Sequence, residues 1–409
     1  MAIAPDFIDL SSGLITDFYK WDEPSNLWLN YRGATYNSQN PTFGDGYNFV
    51  PGKGYMVAYP ELVTKNFIGV PNTNPTGEPG FVCTKTATTG NGWNLIGNPY
   101  PSSIDWASSN IIKTGMDAAL YYFDNATASY KYYAYFSGGL AGASQYIAPM
   151  QGFMVHASAA SGSVTIPNSA RTHLGQDVFY KSAELVTNIL ELKVEGNNKT
   201  DYARVCFYTQ ATNNFDGEYD AYKLFSYSAS AAELYSVAAD NTSLAINTLP
   251  ETVMEGGTVP VSFKTGATGN FTITADKLST FANTSITLED KTTATFQKLN
   301  DNPAYTFFAT ANDVADRFVL HFKNATSIPE PTTDKGITVS FINGMVNAET
   351  DLIGVNGDIR VTDMVGRTLA VSKYTSGNAT TFSLNVKPGV YIVGLYTANR
   401  IYSQKVLVY

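Results

Sequence analysis

The chain has 409 residues, with 26 Lys and Arg against 35 Asp and Glu, a formal charge of −9 and only 15% charged residues. An acidic chain without a basic patch excludes nucleic acid as a partner, because phosphate binding needs clustered Lys and Arg. No uninterrupted apolar run reaches the length of a membrane span, and the chain length suits two or three domains with cores of their own.

Aromatic residues make up 13% of the sequence, and Gly, Thr, Asn and Ser punctuate it. Such residues fit a pleated, half-buried surface, so the expected fold is all-β, built as tandem β-sandwich domains. The expected divisions are a duplicated β-rich domain over 1–171, a β-sandwich over 172–327 and a C-terminal module over 328–409. Cys83 and Cys206 lie far apart and imply no disulfide framework; Cys206 reads as a small core residue.

In chain order, Met1–Asp6 carries neither the basic stretch nor the apolar run of a signal peptide. An internal repeat follows. Tyr19-Lys20-Trp21-Asp22 is echoed by Tyr122-Phe123-Asp124, and Pro51-Gly52-Lys53-Gly54-Tyr55-Met56-Val57 by Pro149-Met150-Gln151-Gly152-Phe153-Met154-Val155. Each copy reads as a hairpin of aromatic strands, a long loop and a glycine turn into an apolar strand, with Gly54 and Gly152 equivalent. Only the second copy has an opening strand, Gly92-Trp93-Asn94-Leu95-Ile96-Gly97-Asn98-Pro99-Tyr100-Pro101. This segment resembles a block common in large Bacteroidetes surface proteins, a resemblance that supplies no biochemical role. The shorter first copy and the absent signal peptide lead us to expect a C-terminal fragment of a longer chain.

Ser102 with Asp105 three residues on reads as a capping-box variant, predicting a short helix that carries Ile104, Ile111 and Ile112 inward and stops near Gly115. From Thr172 to Lys323, period-two alternation predicts strands at Ile189–Val194, Ala203–Tyr208, Val259–Phe263, Asn270–Ala275, Ser285–Glu289, Ala304–Ala309 and Arg317–Phe322. Asn324 to Thr333 is a Pro/Thr linker.

Signals for catalysis are sparse. His156 and His321 sit within strand-like apolar runs and read as structural, and His173 lies in a turn near Asp177. The sequence contains no Gly-x-Ser-x-Gly, His-Glu-x-x-His or Cys-x-x-Cys, so no enzyme is expected. Asp216, Glu218 and Asp220 alternate in a glycine-containing turn, a pattern that suits calcium, the plainer reading being a solvated turn ahead of a strand at Tyr222–Ser226; no other cofactor is implied. Trp21, Trp28, Tyr130 and Tyr133 are the candidate ligand-binding rings, since stacking supplies area and neighbouring Asn and Asp supply orientation. The same rings also serve as cross-strand pairs that hold hairpins together.

The stretch from Ile337 to Tyr409 alternates in short strands broken by two turns, Asp363-Met364-Val365-Gly366-Arg367 and Pro388-Gly389-Val390-Tyr391, and ends on a strand that contains Lys405-Val406. This pattern resembles the C-terminal sorting domain of the type IX secretion system of Bacteroidetes, in which a D-x-x-G-R turn, a P-x-G-x-Y turn and a terminal K-V strand recur. Members of that family usually open with Pro-Asn-Pro, where this chain has Ile337–Asn343. The resemblance implies an immunoglobulin-like module, a location at the cell surface or outside the cell, and secretion machinery as partner. Asp363, Gly366, Arg367, Pro388, Gly389, Tyr391 and Lys405 are the sorting-motif residues. Two functions follow as expectations: an adhesin-like, non-catalytic binding protein directed at a host or matrix protein or glycan, or a carbohydrate-binding accessory region of a larger secreted enzyme.

Overall fold

The structure is a computed structural model that describes residues 17–33, 40–44, 49–61, 64–66, 70–72, 80–86, 91–173, 188–281, 283–324, 337–342, 344–349, 356–375, 379–397 and 401–408. It divides into two compact units, Met1–Thr326 and Ser327–Tyr409. Strands and short 3₁₀ turns are the only regular elements among the described residues, so the fold is all-β. Asn324 ends the strand Phe318–Asn324, and the rest of the Pro/Thr linker and Asp177 lie outside the described residues.

The first unit begins with two similar three-strand groups. Asp17–Asp22 pairs with Leu27–Asn30 on one side and Met56–Ala58 on the other. Met116–Asp124 likewise pairs with Ser129–Ala134 and Gly152–Ala157. The registers correspond: Trp21 opposes Trp28 as Phe123 opposes Tyr130, and Tyr19 opposes Met56 as Tyr121 opposes Met154. Period-two alternation makes this correspondence matter, because a one-residue slip would turn every ring to the other face.

Trp93–Gly97 lies between the groups. It pairs with Gly152–Ala157 along one edge. Along the other, Gly54 N–H donates to the Leu95 carbonyl at 3.1 Å and Gly97 N–H to the Gly52 carbonyl at 2.8 Å. A Cβ on Gly54 would fall 2.5 Å from Leu95 Cγ, whereas on Gly152 the nearest atom would be 3.7 Å away. Close backbone approach therefore demands glycine only at the first of these positions. In the same block, Asn98 Nδ2 donates to the carbonyls of Ser102, Ile147 and Ala148, and the buried Tyr100 hydroxyl donates to the Ile166 carbonyl. The block acts as a structural strand and corner.

The helix expected after Pro101 is corrected to a strand, Ser103–Asp105, paired with Tyr146–Ile147 and Arg171–Thr172. Ser102 Oγ accepts from Arg171 Nε at 2.8 Å and caps nothing, while Asp105 Oδ1 accepts from Ala107 N and Gln145 Nε2. Ile104 and Ile111 are buried as expected, but Ile112 is exposed. Long-range pairing overrides a local capping signal here.

The rest of the first unit is a long sheet packed around one apolar core, with Leu190, Leu192, Val205, Phe207, Val261, Phe271, Ile273, Leu288 and Leu320 among its members. The seven strands expected from alternation are present, with four further ones among the described residues, Ala221–Tyr222, Ala232–Val237, Ser243–Leu249 and Thr295–Lys298. Lys199–Phe207 faces two ways: Ala203, Val205 and Phe207 enter this core, while Cys206 enters a second one. That second core joins Tyr121, Tyr130, Tyr132 and Met154 to Ile189, Cys206, Ala221 and Ile246. The expected division at 171/172 thus runs through one compact unit whose two halves share buried surface. Both cysteines are free and buried; burial pushes Cys83 up to about 11 and Cys206 up to about 12.

The second unit is an antiparallel sandwich with seven strands among its described residues. One sheet has the order Thr338–Ile342, Met345–Glu349, Thr380–Ser383; the other has Thr368–Tyr374, Gly357–Thr362, Gly389–Thr397, Ile401–Val408. Three strands over four, with the first, second and fifth together, is an immunoglobulin-type arrangement whose fourth strand joins the opposite sheet. Alternation places Ile359, Val361, Val393, Leu395, Val406 and Val408 in a shared core, and burying each such side chain is worth about 1.5–3 kcal/mol.

Candidate functional sites

The Asp363–Arg367 turn joins Gly357–Thr362 to Thr368–Tyr374 and is held by its own motif residues. Asp363 N donates to the Arg367 carbonyl at 3.0 Å, and Gly366 N to the Asp363 carbonyl at 3.0 Å. Asp363 Oδ1 accepts from the Arg367 and Val365 amides, while Oδ2 accepts from Arg367 Nε at 3.1 Å. The Arg367 amide leads the donors that hold the Asp363 carboxyl below its usual range. Gly366 sits at φ +83°, the left-handed region that closes such a turn. Met364, Val365 and Arg367 project outward, 61%, 88% and 76% exposed.

The second motif is organised by a tyrosine. Tyr391 is buried and its hydroxyl donates to the Lys387 carbonyl four residues upstream at 2.7 Å. A tyrosine near the start of the sixth strand, bonded back to the chain just before it, is the corner found in many immunoglobulin-type sandwiches. Gly389 lies outside the left-handed region and pairs as an ordinary strand residue with Val408. A Cβ there would meet the Tyr391 ring at 3.6 Å, normal contact. Pro388 and Lys405 are exposed, Lys405 opposite Ile392 in the terminal pair.

The ring candidates in the first unit separate. The Trp21 and Trp28 rings meet edge to face at 5.2 Å, as do Phe123 and Tyr130 at 5.2 Å. Both pairs converge on Tyr227, whose hydroxyl accepts from Trp28 Nε1 at 2.9 Å and from the Tyr130 hydroxyl at 3.0 Å. Tyr227 is 62% exposed and Leu27 beside the cluster 59%. Tyr133 points to the opposite side of its strand, is 1% exposed and belongs to a different core, so it is corrected to a packing residue. Tyr227 escaped the sequence reading because it lies far from its partners in the chain and in a segment without alternation.

The carboxylates of the 216–220 turn do different things. Asp220 is buried; its Oδ2 accepts from the Asp216 amide and its Oδ1 from the Thr248 amide, at 2.8 and 2.7 Å. Burial pushes its carboxyl up to about 8 against the pull of those donors. Asp216 Oδ1 accepts from the Glu218 amide, closing the turn. Among the described residues, no three His, Cys, Asp or Glu side chains are grouped to hold a metal ion.

His156 is locked in place. Its Nδ1 lies 2.5 Å from Asp117 Oδ2 and its Nε2 2.5 Å from the Asn91 carbonyl, with the Trp93 and Tyr222 rings packed about 5 Å away. His321 pairs with Glu289 at 2.7 Å. His173 is exposed.

The fold is that of an all-β protein of β-sandwich character, with an aromatic cluster on the first unit and the closed Asp363–Arg367 turn on the second. Residues 6–322 match the family model of a domain of unknown function, DUF8693. The chain belongs to that family. No curated protein matches it.

Proposed function

We propose that the protein is a non-catalytic, adhesin-like binding protein, surface-displayed or secreted, whose C-terminal unit is read by secretion machinery. The observation that carries this reading is the Asp363–Arg367 turn. Every residue of the recurring signature either builds the turn or stands exposed on it, on a unit with a core of its own. A module recognised by a translocation apparatus needs independent folding and a fixed, accessible epitope.

The test compares the full chain with a deletion of residues 328–409 in a host that has a type IX system. The expected result is a large loss of surface-exposed protein, with the remainder folded and retained in the cell envelope. Equal display of both forms would overturn the reading.

A second reading, carbohydrate binding, is favoured by the cluster of Trp21, Trp28, Phe123, Tyr130 and Tyr227. The Tyr227 oxygen already accepts two hydrogen bonds, which leaves its own proton free to be donated outward beside exposed ring surface. A glycan array probed with the full chain and with Trp28→Ala decides this. Binding lost in the variant supports the sugar reading, and an array without binders leaves a protein ligand.

A further inference from the structure

Three ionisable side chains meet inside the first unit, away from the sites above. Lys223 follows the strand Ala221–Tyr222, Asp201 lies in Lys199–Phe207 and Glu233 in Ala232–Val237. Lys223 Nζ stands 2.5 Å from Asp201 Oδ2 and 2.8 Å from Glu233 Oε2, and the three side chains are 1%, 2% and 9% exposed. Each is fixed by further contacts. Asp201 Oδ2 accepts from Leu234 N at 2.6 Å and Glu233 Oε1 from Ser226 N at 2.6 Å, and the Tyr132 ring covers Nζ at 5.9 Å.

One cation with two carboxylates leaves a net negative charge in a buried place. A structural ion pair needs one carboxylate, and a second adds a desolvation cost. We propose that Lys223 and Asp201 condense into an intramolecular amide cross-link, with Glu233 carrying the protons between them.

The step balances without a co-reactant. A proton passes from the Lys223 ammonium through the Glu233 carboxylate to the Asp201 carboxylate, leaving a neutral amine beside a neutral acid. The nitrogen lone pair attacks Asp201 Cγ and forms the C–N bond. A second nitrogen proton, carried by Glu233, joins the departing Asp201 hydroxyl, so the C–O bond breaks, water leaves and Glu233 regains its starting state. The reactants carry one positive and one negative charge, the amide carries none, and nothing is oxidised or reduced. Burial pushes the Asp201 carboxyl up to about 6, which brings its electrophilic protonated form within reach at neutral pH. Burial also opposes the Lys223 charge, but Asp201, Tyr132 and Glu233 outweigh it and hold the amine above its usual value. The free amine therefore depends on the carboxylate in contact with it, which gives Glu233 its part. Fixed reactants in a buried site have effective molarities on the order of 10⁵–10⁸ M, and the product removes the buried charge pair.

The cross-link would close the loop from residue 201 to 223 beside the core shared by the two halves of the unit, where the Tyr132 hydroxyl donates to the Leu224 carbonyl. The test is the intact mass of the purified, folded full chain after denaturation, followed by peptide fragmentation. The expected mass is one water below that of the sequence, with the peptide containing Asp201 joined to the one containing Lys223. Lys223→Met and Asp201→Ala should restore the sequence mass, as should Glu233→Gln while still melting cooperatively. A wild-type mass equal to the sequence overturns the proposal. A water lost elsewhere, such as a cyclised Asp216-Gly217, overturns it as well, and full cross-linking in Glu233→Gln overturns the role given to Glu233.

Discussion

The two units of the chain place their charges differently. The first buries Arg317 with Asp290 and His156 with Asp117, and sets the buried Arg204 on the half-buried Glu191. In the second, no charged side chain is buried among the described residues, and Arg367 and Lys373 are 76% and 87% exposed beside their acidic partners. Buried pairs fix geometry at a cost in desolvation, whereas exposed pairs contribute little to stability. The first unit is thus specified by polar contacts that fail when one partner is lost, and the second by apolar alternation and turns.

The largest expected effect tests the first half of that contrast. Asp290 is fully buried and receives Arg317 Nε at 3.0 Å and Nη2 at 2.8 Å. Arg317→Met strands that carboxylate and should cost the first unit about 3–5 kcal/mol in denaturant unfolding, with Arg317→Met/Asp290→Leu regaining most of it. The pH dependence has a definite sign. Although burial acts against it, Arg317 and Tyr305 hold Asp290 below its ordinary 3.8. Its contribution is therefore present above 3.8 and is lost as pH falls through the lower folded-state value. The double variant should lack that acid-sensitive component.

Apolar packing carries the second unit, so Leu395→Ala, at a fully buried site, should destabilise it by about 2–5 kcal/mol and leave the first unit's transition in place. A smaller effect is expected at Gly217. A Cβ there would fall 2.1 Å from Asp117 Oδ1, so Gly217→Ala should cost about 1–3 kcal/mol and disturb the His156 ring signals in NMR. The smallest pair distinguishes two turn glycines. Gly366→Ala should cost about 1 kcal/mol for its left-handed backbone, while Gly389→Ala should stay within about 0.5 kcal/mol. Equal effects at the two would remove the distinction.

These contrasts also explain how much was legible in the sequence. Strands such as Gly357–Thr362 were readable because Ile359 and Val361 alternate with Asp358 and Arg360, which fixes both period and face. The pairing of Trp21 with Trp28 and of Phe123 with Tyr130 was readable as a repeated pattern. Ser102 misled because its partner, Arg171, is remote in sequence and no local rule anticipates it. Lys199–Phe207 concealed the joining of the two halves, since apolar residues on both faces do not say which surfaces they cover. Tyr133 and Gly389 carried the right residue types in the right motifs, and only the facing strand and the backbone angle separate packing from function there. The grouping of Lys223 with Asp201 and Glu233 depends on which strands become neighbours, information that alternation does not hold.

The central functional claim concerns the second unit, and transferring that unit tests it most directly. Residues 327–409 are fused to the C-terminus of a periplasm-competent reporter in a type IX-competent host, alongside the same fusion carrying Asp363→Ala and Arg367→Ala. Surface reporter is measured by protease accessibility on intact cells. The account predicts surface reporter with the native turn and a large loss with the altered one, at equal total expression. Reporter retained inside with both fusions, or displayed equally by both, would contradict it.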